Sequence, residues 1–425
     1  MSIALKDHSQ AQREAPRRTG AGNAVLLVLF LCAAFAFLLR SVVSPQILNM
    51  VVTYTAEGGS FPEKLHFGTY AVFFVLALAL TVRPILLRGD EIRLFRATLG
   101  YSLFIVALVP YLFLAGRAGS AGFIIDSYLV ACAAAAIMIV LGSEARRALG
   151  EVMLGMIILS AVIGIAEAVT QQRLMPYTLR ELEFRPIGLS AHPLALGALA
   201  ATAIGFVVLT RWPIWVRALC IFLLFAGTAA SGARAALLLA AAEIVLLLML
   251  VPLPGLSPRH QRQAKLVLML LVLAGGAVLL AVLFSGGLLN RFGNTIFDEN
   301  FFARVTIYQV FGLVGWKDIL FGMDGNALLA IVNQRLGLPY IESAPVVIGL
   351  LFGVPIALAF AVLFFRFFFQ LLRNAPRPAW IGASIFLLTA LSNNALSSKA
   401  PDILIVTVLV LAFQNTGQNT GVRKG

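Results

Sequence analysis

Long apolar runs recur from Ala24 to Phe413, most of them close to the roughly 20 residues that an α-helix needs to cross a bilayer. The first is Ala24–Val43. It is followed by Phe67–Leu87, Phe95–Leu114, Ser120–Leu141, Val152–Thr170, Ala191–Thr210, Ile214–Ala230, Ala233–Val251 and Lys265–Phe284, then by Ala344–Phe369, Ala379–Leu396 and the shorter Pro401–Phe413. The pattern predicts an all-α, polytopic integral membrane bundle of about twelve transmembrane helices. Composition agrees: 60% of the residues are apolar and only 12% are charged, half the usual charge of a soluble chain. A cleaved leader would have a shorter apolar core followed by small residues, so Ala24–Val43 reads as an anchor that stays.

The net charge of +13 would point to nucleic acid in a soluble protein. Here most Lys and Arg lie in short segments between apolar runs, and basic residues interleaved with aromatics on a solvated face are missing, so no nucleic-acid partner is expected. If the N-terminus is cytoplasmic, Arg83, Arg88, Arg93, Arg96, Arg146, Arg147, Arg211, Arg217, Arg259, Arg262, Lys265, Arg366, Arg373 and Arg377 fall inside. With both tails they make up about 20 of the 32 basic residues, as the positive-inside bias requires. The predicted organisation is a cytoplasmic tail (1–23), nine spans (24–285), a long external loop (286–343), three more spans (344–414) and a cytoplasmic C-terminal tail (415–425). Apolar positions such as Leu328, Leu329, Ile331, Val332 and Leu336 within the long loop predict short amphipathic helices over the membrane surface.

The external side is poor in basic residues, and those it has are informative. Among them are Arg173, Arg180 and Arg185 before the sixth span, Arg234 at the start of the eighth, and Arg291, Arg304, Lys317 and Arg335 in the long loop. An arginine at bilayer depth costs about 2.5–3.5 kcal/mol on insertion scales, so Arg234, between Ser231-Gly232-Ala233 and Ala235-Ala236, needs a partner. An anion at a helix N-terminus would serve, because the planar guanidinium fork suits phosphate oxygens and nearby N–H groups point the same way. The alternative is an interfacial Arg234 that snorkels or pairs with Glu243 or another carboxylate. His192, before Pro193, is either a cap residue or a base at the external mouth. Asp324 or Asn326 suits a helix cap, and Glu342-Ser343-Ala344-Pro345 opens the tenth span, with Ser343 as N-cap and Glu342 favoured by the helix dipole.

Several chemistries find no signature. There is no G-x-x-x-x-G-K-[ST] loop, H-E-x-x-H or G-x-S-x-G. The four histidines are scattered, and Cys32, Cys132 and Cys220 lie far apart in apolar runs, so neither a metal site nor a disulfide framework is expected.

In their order these features resemble the bacterial O-antigen ligase and polysaccharide polymerase superfamily. The resemblance rests on Arg185-Pro186-Ile187-Gly188 with Ala191-His192-Pro193, on Ser231-Gly232-Ala233-Arg234, on Arg304 followed by Leu320-Phe321-Gly322 and Gly325-Asn326, and on Glu342 opening a span after the long loop. It covers roughly Arg185 to Phe369. It implies a GT-C-like glycosyltransferase of the bacterial inner membrane, using no cofactor or metal. Such an enzyme takes a glycan from an undecaprenyl diphosphate carrier at the periplasmic face and joins it to an acceptor glycan, with other polysaccharide assembly proteins as possible partners. By the same resemblance Arg185, Arg234 and Arg304 would bind the diphosphate. Relatives carry a histidine where this chain has Glu342, so Glu342 is the first candidate for the general base, with His192 and Asp324 as others. Two other readings remain: a flippase for the same lipid-linked oligosaccharide, and a non-catalytic partner in polysaccharide assembly. The halves of the chain lack the internal similarity common in transporters.

Overall fold

The computed structural model describes residues 20–55, 59–82, 87, 89–178, 184–252, 257–285 and 299–414, and every regular element among them is helical. Residues 1–19 of the N-terminal tail, the C-terminal tail, Arg83, Arg88, Arg180 and Arg291 lie outside the described residues, and α1 begins at Gly20, inside the predicted tail. The first half contains α1 (Gly20–Val42), the single turn α2 (Pro45–Leu48), α3 (Phe67–Val82), α4 (Asp90–Leu114), α5 (Ala118–Ile124), α6 (Val130–Val140) and α7 (Ser143–Thr170). Helices α5 and α6 are one continuous rod joined by a π turn at Ile125–Leu129. The second half contains α8 (Pro193–Val207), α9 (Ile214–Ala230), α10 (Arg234–Leu250), α11 (Pro258–Ser285), α12 (Glu299–Thr306), α13 (Trp316–Phe321), α14 (Gly325–Ile331), α15 (Ala344–Phe352), α16 (Val354–Leu372), α17 (Arg377–Leu391) and α18 (Asp402–Ala412).

Six of these helical rods are long and apolar enough to cross a membrane: the α1, α4, α5–α6, α7, α11 and α16 segments. Helices α3, α8, α9, α17 and α18 are apolar but shorter. The shortest, α18, has every residue buried, so protein surrounds it and it need not match a bilayer in length. Helices approach closely where side chains are small. A Cβ on Gly150 would stand 2.3 Å from the Ala412 methyl, and one on Gly227 would stand 2.6 Å from that of Ala161. Close packing of this kind drives helix association where lipid is as apolar as the helices.

The expected tenth span, Ala344–Phe369, is two helices. Gly353 breaks it with φ at +85°. The break is forced from outside: a Cβ on Gly353 would collide with Leu320 O at 2.2 Å, and Gly322, also at positive φ, lies against the same turn. Arg117, between α4 and α5, holds the two backbones together. Its guanidinium donates to Phe321 O (2.7 Å), Gly322 O (2.7 Å) and Leu351 O (3.1 Å).

This crossing seats a small second core. Ile307, Val310, Met323, Leu328 and Val332 of the 299–341 segment pack on Val346 and Leu350 of α15, separately from the main core of the bundle. The 299–341 segment, with its short helices α12, α13 and α14, thus forms a cap on α15. Helix α15 in turn packs on the 395–397 turn, and Lys399 beside that turn donates to Tyr54 O and Lys64 O. Arg40 at the end of α1 reaches Lys399 O, and Gln46 donates to Ala191 O just before α8. The cap, the segment preceding α8 and the ends of α1 and α18 thus share one end of the bundle, the loop end. The opposite, basic end carries Arg146 paired with Glu91, Arg147 bonded to Leu209 O and stacked on Phe413, and Arg211 paired with Glu144.

Candidate functional site

Helix α7 stops at Gln171, the one described non-glycine residue in the left-handed region, with φ at +55°. Just before that stop, the buried carboxylate of Glu167 receives the backbone N–H groups of Leu174, Ile187 and Gly188 at 2.8–2.9 Å. One acid thereby pins both ends of the loop. Arg173 lies over the rings of Tyr177 and Phe184 and donates twice to Arg185 O, at 3.0 and 2.9 Å. Arg185, held by its own backbone, donates from Nε to Ser231 O at 3.2 Å. Ser231 ends α9, Gly232 turns the chain at φ +67°, and Arg234 begins α10. Arg185 and the N-terminus that carries Arg234 are therefore brought together from segments 46 residues apart.

Glu243 does not neutralise Arg234. It lies nine positions further along α10, fully buried, more than two helical turns from Arg234.

His192 is the N-cap of α8. Its Nδ1 accepts the N–H of Leu194 at 3.1 Å, and the ring lies near Tyr177. A neutral ring whose Nδ1 accepts carries its proton on Nε2, so it offers the loop end a donor. Beneath this turn a narrow recess lined by Ser41, Met156, Ser160, Ser190 and Ile405 has room for about one water.

The other predicted residues meet in the cap. Arg304 lies in the last turn of α12, and Glu342 two residues before α15; Arg304 Nε donates to Glu342 Oε2 at 3.2 Å. Their side chains are 34% and 29% exposed. Ser343, the N-cap residue of α15, turns its hydroxyl to Tyr308 at 3.3 Å and leaves the helix N–H groups uncapped by a side chain. Asp324 caps α14, accepting from the N–H groups of Asn326 and Ala327. Lys317 and Arg335 are exposed on the cap. The predicted residues thus form two groups, Arg185, His192 and Arg234 on one side and Arg304 with Glu342 on the other.

A third cluster escapes sequence reasoning altogether. Asp126, in the π turn, is fully buried and accepts from the Tyr54 hydroxyl (2.8 Å), the Thr69 hydroxyl (2.7 Å) and the His66 N–H (3.1 Å). The guanidinium of Arg40 donates to the carbonyl of Asp126 at 2.8 Å, and the Lys399 ammonium lies 4.2 Å from the centre of the Tyr54 ring. The signal available in the sequence was the single acid inside the fourth apolar run, since an ionisable group there demands partners. Among the described residues no group of three or more His, Cys, Asp or Glu side chains could hold a metal.

No family model matches this chain, no curated protein matches its sequence, and no solved structure matches its fold.

Proposed function

We propose that the chain is a glycosyltransferase of the bacterial inner membrane. In this reading it polymerises or ligates glycan repeats carried on undecaprenyl diphosphate, with the loop end facing the periplasm and about twelve GT-C-like spans. The observation that carries the proposal is the Arg304–Glu342 pair. A cation suited to phosphate and a carboxylate suited to taking a proton, 38 residues apart in sequence, sit side by side at the solvent edge of the end where the other predicted arginines lie.

The chemistry follows from those roles. The acceptor hydroxyl attacks C1 of the donor sugar, and the bond from C1 to the diphosphate oxygen breaks. Glu342 takes the hydroxyl proton. Charge builds on the departing diphosphate, and Arg304, with Arg185 and Arg234, stabilises it; fixed guanidinium groups need no reorganisation as that charge develops. Loss of one such donor typically costs about 10²–10³-fold in rate. Arg185 is aimed through Arg173 and Glu167, so the loop before α8 acts as its mount. His192 contributes a hydrogen-bond donor beside it.

The test is purified full-length protein incubated with a defined lipid-linked repeat. Longer or transferred glycan supports the reading, and its absence with folded protein removes it. In cells, loss of polymer with lipid-linked repeats accumulating outside agrees with a transferase, whereas accumulation inside would favour a flippase.

A further inference from the structure

The two sides of α13 meet different surroundings. Ile319 packs against the small core, and the helix rests on α15 and α16. Trp316 and Leu320, one turn apart and so on one face, are exposed together with Phe321, the tryptophan to 79%. Single exposed apolar side chains are ordinary, but a group of large ones in one place marks a surface that something covers. The following part of the cap is different: the turn at 333–335 exposes only Asn333, Gln334 and Arg335.

The height of α13 along the bundle is fixed by its bonds. The Tyr111 hydroxyl donates to Phe321 O at 2.9 Å, and Arg117 holds Phe321 O and Gly322 O. Tyr111 lies in the last turn of α4, one of the rods long enough to cross a membrane. The 24 spanning residues of α4 rise about 36 Å from Glu91, which is paired with Arg146 at the basic end. A rod of that length outruns the roughly 30 Å hydrocarbon core, so its last turn ends in the interfacial layer. Leu114 in that turn is 90% exposed, and Leu358 near the start of the spanning helix α16 is exposed as well. The open face of α13 therefore adjoins the ends of two membrane-crossing helices.

We infer that α13 is an interfacial anchor, docked in the phospholipid leaflet at the loop end. Trp316, Leu320 and Phe321 enter the layer between headgroups and acyl chains, the depth at which tryptophan is enriched in membrane proteins. Lys317, exposed beside them, extends its ammonium to the lipid phosphates while its methylene stem stays in the apolar layer. Lipid is the occupant because the face stands at the height where α4 and α16 pass into the headgroups. Through Ile319 and the small core, the anchor sets the height of the whole cap over the leaflet. This holds whatever reaction the cap serves.

The experiment uses the full-length protein in lipid nanodiscs. The Trp316 fluorescence is read as the difference between wild type and Trp316→Phe, a replacement that so exposed a side chain tolerates. Phosphatidylcholine brominated near the headgroup end of its chains and aqueous iodide are the two quenchers. The anchor predicts that brominated lipid quenches the Trp316 signal severalfold more than iodide does, and that lipid brominated near the chain ends quenches it less. With wild type setting the background of the three native cysteines, Leu320→Cys should react with a charged thiol reagent severalfold more slowly than Asn333→Cys.

Quenching by iodide and not by brominated lipid, or equal reactivity of the two cysteines, would put the face in water and overturn the anchor. Protection of Trp316 from both quenchers would also overturn it, by assigning the face to protein; native mass spectrometry showing two chains per nanodisc would then identify a second copy. Stronger quenching by the chain-end bromines would overturn the interfacial depth and bury α13 among the acyl chains.

Discussion

The Asp126 cluster and the Arg304–Glu342 pair lie at the same end of the bundle and are built in opposite ways. Asp126 is fully buried, and its carboxylate is shared among a tyrosine, a threonine and a backbone N–H from the segment after α1 and the start of α3. The charges around it are spent on carbonyls, Arg40 on Asp126 O and Lys399 on Tyr54 O and Lys64 O. The cap pair is partly exposed and, among the described residues, joined by one hydrogen bond. A buried charge with its partners in place holds elements together, and removing a partner leaves an uncompensated group in a dry interior. A partly exposed pair at the solvent edge costs little to open, which is what a site for an anionic ligand needs.

The contrast breaks most readily at Asp126. Asp126→Ala would strand the buried Tyr54 and Thr69 hydroxyls and the His66 backbone N–H, at a cost of about 1–3 kcal/mol for each group left unsatisfied. The expected outcome is loss of the monodisperse peak in detergent on mild heating. An unchanged melting temperature would show that the cluster does not hold α1, α3 and α5–α6 together.

Arg304→Ala sharpens the other side of the contrast. Polymer formation should fall by about 10²–10³-fold, while stability changes by less than about 1 kcal/mol because the pair is partly exposed. Arg234→Ala should show the same split between activity and stability. Full activity in both variants would remove the diphosphate clamp, and a large loss of stability in Arg304→Ala would move its pair into the class of Asp126.

Arg117 falls between the two. It is charged and exposed enough to tolerate replacement, yet it bonds three carbonyls across the Gly322–Gly353 crossing. Hydrogen bonds to a charged group contribute about 1.5–3 kcal/mol, so Arg117→Ala should loosen the cap locally. Amide hydrogen exchange at 321–323 and 351–353 should accelerate while that of α7 and α8 stays unchanged. Equal acceleration everywhere would mean that Arg117 supports the whole bundle.

Much of this arrangement could be read from the chain and some could not, for physical reasons. Apolar runs mark helices because lipid and protein interior select the same composition, and for that reason the runs cannot tell a lipid-facing rod from the wholly buried α18. The break at Gly353 was hidden in a run of continuous hydropathy. Its trace is Gly353-Val354-Pro355, a glycine and a proline placed as at a helix start. The residue types at Arg304 and Glu342 were legible, but their contact was not, because a separation of 38 residues is closed only by the small core under the cap. Asp126 was the least legible, since its cluster joins segments as far apart as Tyr54 and Lys399.

The basic end supplies the lower limit of the comparison. Arg211 and Glu144 face each other at 3.4 Å with side chains 68% and 76% exposed. Here the charge can be met by water from every side, ordering two long side chains costs entropy, and salt screens the attraction. Arg211→Ala should therefore leave the melting temperature within error and polymer formation at the wild-type level, although its contact looks like that of Arg304 on a distance criterion. Arg146, whose pair with Glu91 is reinforced by bonds to Leu141 O and Ile139 O in a buried setting, should not be replaceable in this way. If Arg211→Ala destabilises the protein as much as Arg146→Ala does, exposure is the wrong variable for ranking these arginines, and the distinction between a held charge and an available one fails at the loop end as well.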